Sequence, residues 1–226
     1  MGEKDMKIEA VLFDLDGTLL NTLGDLTDSV NYAMEHMGYP LHTEEEVRTY
    51  INNGARHLIT AACPKGTPAP EIDACLAVFQ AHYREHLAVR TAPYPGIMEL
   101  LAELKSRDLR TAVVSNKFMT AVQDLSKRYF GELMDAAVGE QEANGLRRKP
   151  WPDTVFEALR LLGVPGDRAL YVGDTEVDLK TARNAGLPCL CVSWGFKSRE
   201  ALEHAGAEQI ADDTRELLSM MENMQK

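Results

Sequence analysis

The stretch "VLFDLDGTLLNT", Val11 to Thr22, governs how the rest of the chain is read. It continues the apolar run "IEAVLF" (8–13), which predicts a buried strand, and then sets Asp14 and Asp16 directly against it. Side chains two residues apart on a continuing strand point the same way, so the two carboxylates face one place. Gly17 lets the backbone turn sharply after them. An aspartate that merely caps a helix stands before the helix, not after a buried strand.

Working outward, four further apolar runs have the same character: "RTAVVS" (110–115), "DAAVG" (135–139), "ALYVG" (169–173) and "PCLCVSW" (188–194). Helical periodicity follows each of the first four of the five strands. Near-continuous apolar strands alternating with helices predict an α/β fold whose parallel sheet is covered on both faces. Gly and Pro punctuate "GVPGDRALYVGD" and "AGLPCLCVSWG" where helix gives way to strand.

One interval breaks the rhythm. About 95 residues separate the first strand from the second, where a simple crossover unit needs about 30. The interval reads as helices over 23–37, 43–50, 54–62 and 70–88, and a helix at 96–106 returns to the main rhythm. The expected organisation is a core of 1–19 and 93–226 with a helical insert over 20–92. The loop "CPKGTPAP" (63–70) inside the insert is expected to be exposed.

The 226 residues are 45% hydrophobic and 26% charged, as in a globular protein with a sizeable core. A net charge of −11 and an isoelectric point of about 5.0 argue against a nucleic-acid or anionic-membrane partner. No window has the roughly 18 apolar residues of a membrane helix, and "MGEKDMKIEA" lacks a signal-peptide core. A cytoplasmic protein, monomer or homodimer, is expected. Cys63, Cys75, Cys189 and Cys191 have no zinc spacing and read as reduced structural thiols.

In an open parallel sheet, ligands bind beyond the carboxyl ends of the strands. Asp14, Asp16 and Thr18 follow the first strand; Ser115, Asn116 and Lys117 come after the second. Lys149 in "RRKPWPD" follows the third through a loop, and Asp174 and Asp178 in "GDTEVD" follow the fourth. Several carboxylates on one edge repel one another, so some are protonated or share a cation. Hard oxygen ligands suit Mg²⁺. A carboxylate can attack phosphorus, and a lysine and a hydroxyl can hold the phosphoryl oxygens. The chemistry indicated is metal-assisted phosphoryl transfer.

"DLDGTL", "SNK", "KPxPD" and "GDTxxD", in this order and at these strand ends, resemble the haloacid dehalogenase superfamily over essentially the whole chain. The insert resembles the small helical cap of its phosphoglycolate phosphatase and β-phosphoglucomutase branch. The resemblance implies a doubly wound sheet in the order 3-2-1-4-5 below a helical cap, and a Mg²⁺-dependent phosphatase with 2-phosphoglycolate as the first substrate. It implies Asp14 as nucleophile and metal ligand. Asp16 would be the acid and base, with its carbonyl on the metal. Thr18 would orient Asp16. Ser115, with backbone help near Asn116, and Lys149 would hold the phosphoryl group. Asp174 would ligate the metal directly, and Asp178 directly or through water.

Plainer readings compete. Arg147 and Arg148 rival Lys149. Lys117 reads as a solvated first-turn residue. In the insert, Asn53-Gly54 keeps a turn at a helix start where family caps carry "VGNG", with Asn52 at the first glycine. Arg56 could reach a substrate carboxylate, although an exposed helix charge is the plainer reading. His57 reads as a surface or packing histidine, and His42, His82, His86 and His204 have no ligand spacing. Trp194 reads as packing near the last strand. A phosphosugar mutase shares the chemistry, and a phosphonatase would need a cap lysine, where the insert offers only Lys65. A non-catalytic phosphometabolite-binding protein would have no need of the complete set Asp14, Asp16, Ser115, Lys149 and Asp174.

Overall fold

The structure, a computed structural model, describes residues 7–51 and 54–225, so Asn52, and Asn53 of the turn expected at Asn53-Gly54, lie outside the described residues. Six strands form one parallel sheet: β1 (Ala10–Phe13), β2 (Arg110–Phe118), β3 (Ala136–Glu140), β4 (Ala169–Gly173), β5 (Cys189–Val192) and β6 (Ile210–Ala211). Their order across the sheet is β3-β2-β1-β4-β5-β6. The first five strands therefore run 3-2-1-4-5, as the resemblance implies. The two-residue β6 extends the edge and is too short for an apolar run to reveal.

Every residue of β1 and β4 is buried, which is why both read as unbroken apolar runs. On one face Ala10, Leu12, Ala112, Val114 and Tyr171 pack with Val155, Ala158 and Leu159 of the helix Asp153–Leu162 and Ala182 of the helix Glu176–Ala185. Phe13 pairs in register with Val113 of β2 and Val172 of β4, so β1 ends between its two neighbours. Parallel pairing puts all the carboxyl ends on one edge.

β2 departs from the expectation. It runs to Phe118 rather than stopping at Ser115. Its pairing with β3 is irregular: Val114 faces Val138 and Phe118 faces Glu140, so Ser115, Asn116 and Lys117 stand opposite Gly139 alone. A bulge of this kind re-aims side chains. Gly139 makes it possible, because a Cβ there would come within 2.6 Å of the Lys117 carbonyl oxygen and of Met119 Cα.

The described residues form two compact units, divided between Leu20 and Asn21 and between Ala92 and Pro93. The second is built mainly of helices: Leu23–Met37, Glu44–Tyr50, Ala55–Ala62 and Ala69–His86. Gly38, at φ 70°, ends the first helix in a left-handed turn. Thr43 and Glu46 cap the second reciprocally. Val30, Met34, Val47, Ile59, Cys75 and Phe79 are buried in this unit. Asp25, 1% exposed, closes it by accepting hydrogen bonds from the backbone N–H groups of Val89, Arg90 and Thr91 and from the Thr91 hydroxyl. Among the described residues no helix is long and apolar enough to cross a membrane.

Candidate active site

Asp14 leaves the end of β1 with its backbone N–H bonded to the Val172 carbonyl, 2.9 Å away. The side chain is buried. Its Oδ1 accepts from the Leu15 N–H at 2.7 Å and lies 2.8 Å from the Lys149 ammonium. Burial pushes its pKa up to about 7; the Asp178 carboxylate, and more weakly Asp16, push the same way against Lys149. Burial, with the Asp178 and Asp14 carboxylates, holds Asp174 well above the usual carboxylate range.

Lys149 is 4% exposed and bridges Asp14 and Asp178, 2.7 Å from the latter. Burial disfavours the ammonium, but the two carboxylates outweigh it and raise the pKa above the ordinary lysine value. Asn116 fixes the lysine's backbone from both sides: its Oδ1 accepts the Lys149 N–H at 2.6 Å and its Nδ2 donates to the Lys149 carbonyl at 3.1 Å. The rival arginines are engaged elsewhere. Arg147 pairs with Asp153 and lies over the Trp151 ring, and Arg148 is paired with Glu142.

Asp178 is fully buried, and its four acceptor positions are filled. Oδ1 accepts from Lys149 and from the Tyr171 hydroxyl at 3.1 Å; Oδ2 accepts from the Thr175 N–H at 3.1 Å and hydroxyl at 2.8 Å. The same contacts cap the helix Glu176–Ala185. Asp174 accepts from the Phe196 N–H at 2.7 Å on Oδ2 and from the Thr18 hydroxyl at 3.1 Å on Oδ1. The Thr18 hydroxyl therefore holds Asp174, where the resemblance implied a role at Asp16. Trp194 does more than pack: its Nε1 donates to the Thr18 carbonyl at 3.0 Å. Two backbones close in on Asp174. A Cβ at Gly17 or at Gly195 would stand 2.3 Å from Asp174 Oδ2. Gly17 also has φ 88°, a conformation that favours glycine.

The group beside Asp16 is Lys117, with Nζ 3.0 Å from Oδ1 and its side chain 6% exposed. Lys117 is not the solvated first-turn residue that its sequence context suggests, because β2 continues past it and bulges there. Ser115, 2% exposed, accepts the Lys117 N–H at 3.2 Å. Tyr171 was missed because a tyrosine inside an apolar run looks like core, and the Phe196 N–H because a backbone donor carries no sequence signal. Arg56 belongs to the helical unit, where it is exposed and paired with Asp73. His57 is exposed there, as expected.

Carboxylate oxygens of Asp14, Asp174 and Asp178 lie within 4.8 Å of one another, a grouping able to hold a metal ion. Buried carboxylates with raised pKa values are the donor set a hard divalent cation would neutralise. With Asp178 saturated, Asp14 and Asp174 are the carboxylates with capacity to spare. Carboxylates, an ammonium and a hydroxyl thus converge on the strand edge where such sheets carry their chemistry.

The haloacid dehalogenase-like hydrolase family model matches residues 11–192, and the chain belongs to that family. It is a phosphoric monoester hydrolase, in keeping with its named relatives. It is 33% identical over 221 residues to the N-acetylmuramic acid 6-phosphate phosphatase of Pseudomonas aeruginosa, covering 97% of each chain. It is 32% identical over 201 residues to the phosphoglycolate phosphatase of Mesorhizobium japonicum, covering 85% of this chain and 86% of that one. Among solved structures it is similar to a Lactobacillus delbrueckii subsp. bulgaricus protein assigned as a phosphoglycolate phosphatase. The TM-score is 0.91 and the identity 35%, covering 96% of this chain and 99% of the other.

Proposed function

We propose that the chain is a Mg²⁺-dependent phosphatase of a small phosphorylated metabolite, acting in the cytoplasm through an aspartyl-phosphate on Asp14. The observation that carries this reading is the Lys149 ammonium seated between the buried Asp14 and Asp178 carboxylates. It opposes the protonation that burial favours at the nucleophile and stands ready to neutralise a phosphoryl group.

Asp14 attacks phosphorus, with Oδ1 held by the Leu15 N–H and Lys149. Asp16 gives a proton to the leaving oxygen. Water then attacks the aspartyl-phosphate, Asp16 takes its proton, and phosphate leaves Asp14 free. The Ser115 hydroxyl accepts from Lys117 N and has its own proton to donate to a phosphoryl oxygen. Asp14, Asp174 and the Asp16 carbonyl would hold the cation, which when bound offsets charge on the phosphoryl oxygens. Asp178 orients Lys149, and Asn116 sets the backbone that carries it. The helical unit Asn21–Ala92 is the cap that reads the rest of the substrate, with Arg56 as its carboxylate reader.

The first substrate is 2-phosphoglycolate. N-acetylmuramic acid 6-phosphate is the second, favoured by the relative of that name matching 97% of both chains. Both carry a carboxylate as well as a phosphate ester. Purified protein with Mg²⁺ should release phosphate from p-nitrophenyl phosphate, and kcat/KM on the two metabolites ranks them. No turnover on any phosphate ester would refute the enzyme reading.

A further inference from the structure

We propose that Lys117 is a positioning residue that holds the Asp16 carboxylate for attack of water on the aspartyl-phosphate. The inference rests on the phosphatase reading and adds a residue to it. Asp16 Oδ1 is buried and has no hydrogen bond of good geometry among the described residues. What stands next to it is the Lys117 ammonium at 3.0 Å. The nucleophile Asp14 has two donors on one oxygen, and Asp174 has one on each. Among the described residues, Asp16 Oδ1 is held by charge alone.

The backbone is built to deliver that charge. The irregular pairing opposite Gly139 puts three residues of β2 where one would fit. The Lys117 carbonyl fills the space a Cβ at Gly139 would take, at 2.6 Å, and the Gly139 N–H bonds Met119 Sδ at 3.3 Å. A lysine on a free first turn would not be 6% exposed against a carboxylate. Long side chains such as lysine lose rotamer freedom on burial. The local fold bears that cost at Lys117.

Each turnover on an aryl ester separates the two steps. In the first, an Asp14 oxygen bonds phosphorus and the ester P–O bond breaks; p-nitrophenolate is a good leaving group and departs with little proton help. In the second, water oxygen bonds phosphorus, its proton passes to Asp16, and the bond to Asp14 breaks. Only the second step depends strongly on where Asp16 points.

The test is pre-steady-state p-nitrophenyl phosphate turnover by wild type, Lys117→Met and Lys117→Arg, with thermal unfolding recorded for each. In Lys117→Met the first-turnover rate should stay within about threefold of wild type while steady-state kcat falls about tenfold to a hundredfold, giving a burst near one p-nitrophenolate per enzyme. Lys117→Arg should recover most of the loss. Adding Lys117→Met to Asp16→Asn should change kcat less than twofold, because the group being positioned is already gone. Equal losses in both phases, no loss at all, or full additivity with Asp16→Asn would overturn the inference. A wild type inert on every ester overturns the phosphatase reading first, and the wild-type assay alone reveals that.

Discussion

Two regions of this protein bury aspartate, and they do it in opposite ways. In the helical unit, Asp25 is 1% exposed and receives three backbone N–H groups and one hydroxyl. No other carboxylate is among those partners, and the result is a staple that closes the unit. At the edge of the sheet, Asp14, Asp174 and Asp178 are buried against one another, and burial first, then repulsion from the neighbouring carboxylates, raises the pKa of Asp14 and Asp174. A carboxylate surrounded by donors stabilises a fold. Carboxylates crowded together destabilise it, and persist where a cation or substrate can offset the charge. Burial alone does not tell the two apart; the identity of the neighbours does.

The largest effect expected from this contrast is at Asp14. Asp14→Asn should lower turnover at least a thousandfold while leaving the fold intact. Retained activity would mean that the nucleophile lies elsewhere. Stability should move the other way. The native Asp14 carboxyl titrates at about 7 against an ordinary 3.8, so the folded chain binds that proton more tightly than the unfolded chain. Stability from this group is full below the unfolded value and is lost as pH rises through the folded one. In cation-free buffer, the unfolding midpoint of Asp14→Asn should gain on wild type between pH 5 and 8. A gap that stays constant or narrows would remove Asp14 as a seat of electrostatic strain.

Next in size is the response to the cation. Mg²⁺ should raise the wild-type unfolding midpoint, more at pH 8 than at pH 5, because ligand bound to the native state stabilises it by mass action and competes with the proton. Asp174→Asn should abolish most of that rise. An equal rise in the variant would place the cation away from the sheet edge.

The contrast also explains what could be read from the sequence. The sheet was legible because β1 and β4 are buried on both faces and so nearly free of polar residues. The site was legible wherever a polar residue interrupts such a strand at its end: Asp14, Ser115 and Asp174 all stand out that way; Asp14 and Asp174 lie in one group of buried carboxylates, and Ser115 lies toward the carboxyl end of β2. What escaped depends on backbone geometry. Lys117 faces Asp16 only because β2 bulges opposite Gly139. Thr18 turns to Asp174 because Gly17 and Gly195 let two loops meet there. Asp25 drew no notice, since an aspartate in the first turn of a helix is commonplace. Its partners lie more than 60 residues away.

A smaller effect, confined to stability, is expected at the staple. Asp25→Ala strips four donors of their acceptor and should cost about 3 kcal/mol in urea unfolding, since buried unsatisfied donors are expensive. Asp25→Asn keeps an acceptor and should cost less. If Asp25→Ala proved neutral, water would have to reach the segment 89–91, and the difference drawn between the two regions would weaken.

The smallest effect concerns how the two units divide their labour. Arg56 is exposed and already paired with Asp73, which for a surface pair is worth about 0–1 kcal/mol. Its removal should therefore barely move the unfolding midpoint. A guanidinium so weakly committed can exchange one carboxylate for another, and Asp73 would then be the stand-in for a substrate carboxylate. Arg56→Ala should raise KM for 2-phosphoglycolate about threefold to tenfold, leave its kcat close to wild type, and leave p-nitrophenyl phosphate, which has no carboxylate, unaffected. Asp73→Ala should act in the opposite direction, lowering KM for the carboxylated ester by removing the competitor. Equal changes on both esters, or no response to Asp73→Ala, would reduce Arg56 to a surface charge and leave substrate choice to other residues.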